Sequence, residues 1–240
     1  MQGIIYFFIN KINMKIAGKL TIKDWIDLVG GIEEDKVTID YKSDEKWSLA
    51  FYFFEERIRT RYLNPINAIL KMPDNLGEGF AVVNLQCSLI ETIESFINGC
   101  IPEYDKIKNK LFWKRKGKIV FHSNKSIFKS FFENRTPFNN STPKINGNHF
   151  YDYVRCPILH ETQTKNNWKI KKGIKDGTAF EEKDRFKIIY RDNFQKDIET
   201  LIENYKISIV NGDDFDGISA CELRENFISK FNHICYASRF

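Results

Sequence analysis

Arg155-Cys-Pro-Ile-Leu-His160 holds the two side chains of this chain best suited to do chemistry together. It lies within the apolar-aromatic stretch Phe150-Tyr-Asp-Tyr-Val-Arg-Cys-Pro-Ile-Leu-His-Glu161. Arginine stays cationic at physiological pH and grips phosphate oxygens with a planar fork of donors. Histidine gives and takes protons near neutrality. The pair is a minimal kit for cutting a phosphodiester without a metal ion. On an ideal helix, residues five apart are turned by about 140°, so the two do not share a narrow face. Pro157 alters that geometry, because it removes the backbone bond to Tyr153 and kinks a helix. A kink with the long Arg side chain, or two copies meeting in a dimer, would bring both heads into one site. The plain alternative is a surface Arg and a half-buried His near a helix end, a spacing that recurs by accident.

Other residues are candidates to support such a site. Glu161 either orients the imidazole or faces solvent. Glu91 and Glu94 sit in the most apolar helical pattern of the chain, where a carboxylate must find a partner or shift its pKa. The cluster Arg57-Ile-Arg-Thr-Arg61 supplies obvious structural partners, and the sharper alternative is a polar group that reaches the Arg155/His160 site; Arg59 and Arg61 are also candidate phosphate contacts. Lys165-Asn-Asn-Trp-Lys169 follows the motif directly, with Lys165 and Lys169 as cations and Trp168 as a stacking face. Lys114-Arg-Lys116 reads as solvated surface. Asn211-Gly-Asp-Asp-Phe-Asp-Gly217 fails the register of a calcium loop and reads as a turn with a helix N-cap. The sequence gives no sign of a metal site or a cofactor: there is no P-loop, no Gly-x-Gly-x-x-Gly after a strand and no Gly-x-Ser-x-Gly.

The elements that must carry these residues are mostly helical in pattern. Thr21 caps a short helix through Trp25 and Leu28 that ends at Gly30-Gly31. Val37–Tyr41 alternates like a strand. Helical spacing runs from about 47 to 72, interrupted at Asn64-Pro65, and Pro73 to Gly79 is a turn. The run 78–98 is apolar nearly all round, which marks the centre of a bundle. Residues 100–124 are mixed and basic. Further helices are predicted over 126–133, 145–162, 191–209 and 218–235. Trp168–Ile170 and Phe186–Tyr190 look like short strands, joined as a hairpin across Gly173 and Gly177.

With these elements in place, Arg-x4-His near the end of a helix resembles the catalytic motif of the HEPN superfamily, which is Arg, four to six residues, then His. The resemblance is strict at Arg155 and His160 and architectural over about residues 47–235. Cys156 stands where the pattern often has Asn, Asp or His; Cys156, Tyr151 and Glu161 are the supporting candidates. The resemblance implies a mainly α fold, a helical bundle with a few short peripheral strands. Residues 1–45 would form an N-terminal extension packed on the core, and 46–240 the HEPN-like domain. It also implies a homodimer with facing motifs and metal-independent RNA cleavage to a 2′,3′-cyclic phosphate. Many members act in toxin–antitoxin or antiphage systems, with an antitoxin or nucleotidyltransferase partner; others bind RNA, a nucleotide or a protein without turnover.

The bulk properties bound these readings. The chain has 240 residues, 42% of them hydrophobic and 21 of them Phe, which is enough for a sizeable core. Lys and Arg outnumber Asp and Glu by 37 to 32, a balance that permits an anionic partner without demanding one. Five cysteines with no Cys-x-x-Cys spacing indicate a reducing compartment. Ile4–Ile9 is too short an apolar run to span a bilayer or form a signal core, and Met14 offers an alternative start. A cytoplasmic protein with no membrane contact is expected.

Overall fold

The structure is a computed structural model that describes residues 12–31, 39–40, 42–72, 77–174 and 177–237. The strand expected over Val37–Tyr41 and the turn starting at Pro73 fall largely outside those residues. In chain order the elements are β1 (Lys15–Ala17), β2 (Leu20–Thr21), α1 (Ile22–Val29), α2 (Asp44–Ile58), a π-helical turn (Arg59–Leu63) and α3 (Asn64–Leu70). There follow α4 (Glu78–Ile97), the strands β3 (Ile101–Asp105), β4 (Lys110–Arg115) and β5 (Lys118–Phe121), and α5 (Asn124–Asn134). Then come α6 (Gly147–Phe150), a second π-helical turn (Tyr151–Arg155), α7 (Cys156–Glu161), β6 (Trp168–Lys171), β7 (Phe180–Lys183), β8 (Phe186–Tyr190), α8 (Arg191–Asn211) and α9 (Ala220–Ala237).

Helix α4 is the axis. Val82, Val83, Leu89, Ile90, Ile93 and Ile97 are fully buried; α3, α5, α8 and α9 pack around it, and α2 meets it through Phe54 on Phe96. By length and composition α4 could cross a membrane, but 61% of that window is buried against its neighbours. The phenylalanines gather in two nests within one core. Phe51, Phe54, Phe96, Tyr205, Phe227 and Phe231 fill one end, with Trp25 of α1 stacked on Phe231 at 4.6 Å. Phe128, Phe131, Phe132, Phe138, Phe150, Phe180 and Phe194 fill the other. Thr21 and Asp24 form a reciprocal capping box at the start of α1, and Gly30 ends it in the left-handed conformation, as the sequence led us to expect.

The expectation of a mainly α bundle with a few short peripheral strands is overturned. The described residues are 58% helical, but 17% lie in eight strands of three sheets, a mixed α/β arrangement. Strands β3–β4–β5 form an antiparallel meander over residues read from sequence only as mixed and basic. Lys110, Lys114 and Lys118 lie among Phe112, Trp113 and Phe121 in it, so its apolar alternation is diluted by charge. The hairpin expected across Gly173 and Gly177 is also corrected. β6 pairs parallel with β8, Ile170 opposite Ile189, while β7 is the antiparallel partner of β8.

The interruption expected at Asn64-Pro65 is instead a widened turn. Proline lacks an N–H and its ring crowds the carbonyl four residues back. Both π-helical turns run directly into an X-Pro pair, Asn64-Pro65 and Cys156-Pro157, and in each the amide before the proline reaches five residues back, Asn64 to Arg59 and Cys156 to Tyr151.

Glu94 is buried in α4 with no solvent exposure, and Arg135, just past α5, is 3% exposed. Arg135 donates Nε to Glu94 Oε2 at 2.8 Å and Nη2 to Oε1 at 3.1 Å, and Ser130 and Asn98 donate to Oε1 as well. Removing one partner of such a pair strands a buried charge. Arg135→Met is expected to cost about 3–5 kcal/mol in urea unfolding, and the double variant Glu94→Gln/Arg135→Met should recover most of that loss.

Candidate functional site

The motif helix is assembled from three short pieces. Asn146 caps α6 by accepting the His149 amide at 3.0 Å. Gly147 follows because a Cβ there would lie 2.2 Å from the Phe128 carbonyl oxygen, so only glycine lets α6 pack this closely on α5. Phe150 drives the start of the π-helical turn into the core, against Phe132 at 4.9 Å and Trp168 at 5.7 Å. Past it, Pro157 leaves the Tyr153 carbonyl without its helical donor, and that oxygen accepts the Lys165 amide at 2.8 Å. The chain after the helix is thereby tied back onto its bend. Thr162 ends α7 with φ +54°.

Arg155 points at α4. Its Nε donates to Glu91 Oε1 at 2.8 Å, with the two side chains 16% and 17% exposed. The Tyr151 ring lies 5.7 Å from its guanidinium carbon. Burial pushes the Glu91 carboxyl above the usual range, against the pull of Arg155. Burial and a hydrogen bond with Cys156 push the Tyr151 phenol up to about 12. Burial also raises the neighbouring Cys87 thiol. The expected partnership of Glu91 and Glu94 with Arg57, Arg59 or Arg61 is corrected: Glu94 takes Arg135, and Glu91 takes Arg155, the alternative in which a carboxylate of this helix reaches the motif.

His160 lies in the last turn of α7, exposed, and forms no hydrogen bond or ion pair with Arg155 or any other described residue. Glu161 does not orient it. Its carboxylate accepts from Lys165 and, at 2.8 Å, from Gln163, and these bonds hold its pKa below the usual value. Within one chain, Arg155 therefore faces the core helix while His160 faces solvent.

The remaining candidates divide. Trp168 is 5% exposed and sits in the aromatic core, so the stacking face expected of it does not exist. Sequence alone missed this because Asn167 and Lys169 flank it with polar residues, as on any half-buried strand. Lys169 is exposed and lies over the Phe186 ring. Arg59 is exposed and donates to Glu56, with Nε at 2.9 Å. Arg61 is exposed and has no ion-pair partner among the described residues. Arg57 is half-buried and donates Nη1 to the Ile16 carbonyl at 2.6 Å. Lys114, Arg115 and Lys116 are matched by Glu103, Glu222 and Glu225, in keeping with a surface role. Asp214 and Asp216 accept from Ala220 N–H and from Thr136, which makes the 211–217 loop a clasp between helices.

No family model, curated protein or solved structure matches the chain.

Loss of Arg155 leaves Glu91 half-buried without its cation. Arg155→Met should raise the Glu91 pKa further above its unfolded value. A folded-state pKa raised in this way contributes stability at low pH that is lost as pH rises through it. The variant is therefore expected to be destabilised by about 1–3 kcal/mol at pH 7.5 and by less at pH 5. Urea midpoints at the two pH values measure the difference.

Proposed function

We propose that the chain is an endoribonuclease of the kind its Arg-x4-His motif resembles, with Arg155 and His160 as the working pair. One observation carries the reading. Arg155 is fixed by Glu91 on the bent motif helix, while an unengaged imidazole stands at the exposed end of the same helix. Only one of the five guanidinium donors is taken by Glu91, so the others can meet a phosphate. The resemblance rests on the motif and its helix, and no longer on an all-helical architecture.

In this mechanism the ribose 2′-oxygen attacks the adjacent phosphorus as His160 accepts its proton. Arg155 stabilises the added charge on the phosphorane oxygens. The bond to the 5′-oxygen breaks, and that oxygen takes a proton from water or from the imidazole of a second copy. The products are a 2′,3′-cyclic phosphate and a 5′-hydroxyl, and DNA, which lacks the 2′-hydroxyl, is spared. Because Arg155 and His160 face different ways in one chain, a homodimer with apposed motif helices is the natural way to complete the site. A role as a toxin or antiphage effector, with an antitoxin or nucleotidyltransferase partner, belongs to the same proposal.

The Glu91–Arg155 pair also favours a second reading, in which the chain binds RNA, a nucleotide or a protein partner without turnover. A guanidinium already neutralised by a carboxylate holds its place on the helix but gives a phosphate less of its charge.

His160→Ala is expected to lower cleavage of a single-stranded RNA in EDTA by about 10²–10⁴-fold while leaving the unfolding midpoint unchanged. Equal cleavage by the variant would remove His160 from the mechanism. RNA binding without cleavage by the wild type would select the second reading.

A further inference from the structure

A cleft of about 390 Å³ opens where α2, the first π-helical turn, α4, β4 and α9 meet, lined among others by Arg57, Tyr62, Glu91, Thr92, Trp113 and Lys230. Its volume falls in the range of small-ligand sites, roughly 300–1,000 Å³. Two of its walls carry cations that the fold does not neutralise. Lys230 is 8% exposed, yet its ammonium meets only the Cys100 carbonyl, at 2.7 Å, and lies 5.6 Å from the Trp113 ring centroid. Among the described residues, Arg57 meets only the Ile16 carbonyl. Neither has a carboxylate partner among the described residues. Glu91, the acid among the described residues that line the cleft, is engaged by Arg155. Burial lowers both cations, Lys230 to about 8 with repulsion from Arg57 adding to it, and Arg57 to about 10 with repulsion from Arg61 adding to it.

A buried and a half-buried cation without counter-charge among the described residues are a cost to the folded state. Sites that carry such a cost are commonly kept for function. An anion entering between them would relieve the repulsion and form charge-assisted hydrogen bonds. Hydroxyls line the adjoining wall, with Tyr62 Oη and Thr92 Oγ1 3.1 Å apart. Trp113 and Pro102 give the cleft an apolar side.

We infer that this cleft binds a phosphate monoester of nucleotide size, its phosphate held by Arg57 and Lys230 and its remainder lying along Trp113 and Pro102. The site shares Glu91 with the Arg155 pair, so occupancy would be felt at the motif helix. The inference stands apart from RNA cleavage, since a mononucleotide has no scissile internucleotide bond.

The test measures thermal shifts and calorimetric binding of AMP, inorganic phosphate and adenosine to the full chain, to Lys230→Met, to Arg57→Gln and to His160→Ala. AMP should bind the wild type and His160→Ala alike. Each cleft variant should weaken it by at least about tenfold, the loss of one charge-assisted contact. Lys230→Met should melt no lower than the wild type, because the buried ammonium costs more than its single carbonyl bond returns. Binding of phosphate alone would identify the anion as the recognised part, and binding of AMP without phosphate would add the ring; both support the site. Adenosine binding as tightly as AMP, no binding of either AMP or phosphate, or binding unchanged in both cleft variants would overturn it.

Discussion

Two of the three carboxylates in the most apolar helix, those in its second half, constrain where the rest of the chain can go. Glu91 and Glu94 lie three residues apart on α4, on adjoining faces of a helix whose buried residues are mostly apolar. Neither can be left unpaired at neutral pH, because stranding a charge there would offset much of the stability a domain of this size has. Arg135 must therefore return to α4 after α5, and Arg155 must do so from the motif helix. Those two returns fix the segment between them, including the cap at Asn146 and the close approach at Gly147. The aromatic nests supply most of the driving force for burial, but they are permissive about register. The ion pairs are not, since an arginine fork meets a carboxylate in few geometries.

The helical skeleton was legible in the chain to within a few residues. α1, α4, α5, α8 and α9 all announce themselves through period-3.6 apolar spacing and clear ends. The sheets were less visible for a physical reason. All three strands of the β3–β4–β5 meander are short; β4 and β5 carry lysine or arginine beside their apolar positions, and β3 holds Pro102, Glu103 and Asp105 against two apolar residues, so neither period dominates. The β6–β8 pairing was hidden because a parallel register depends on where the intervening segment packs, which local sequence does not encode. For the site, the residue types in the motif were visible and so was the difficulty of Glu91. That a carboxylate of α4 reaches the motif site was one of two readings; local sequence could not choose it over the nearer arginines, because the two partners lie 64 residues apart. Trp168 misled because a strand residue with polar neighbours can face either side of its sheet.

Arg57, Arg59 and Arg61 show how little a charge cluster says before folding. They sit within five residues, yet one is drawn to the Ile16 carbonyl and lines a cleft, one folds back onto Glu56, and one stays in solvent. The widened turn that begins at Arg59 contributes to that divergence, because alternate residues of a π-helical turn do not project as they would from an α-helix.

The π-helical turn at Tyr151–Arg155 has an evolutionary side. It accommodates one more residue than the α-helix it interrupts, so it works as a phase joint between two separately indexed helices. Upstream, Phe150 is keyed to the core; downstream, Ile158 and His160 follow their own rotation. Lengthening or shortening the interval after Arg155 by a residue would swing the imidazole through about 100° without disturbing the aromatic anchor. A helix jointed in this way lets the spacing of its reactive side chains drift while its seat in the protein stays fixed.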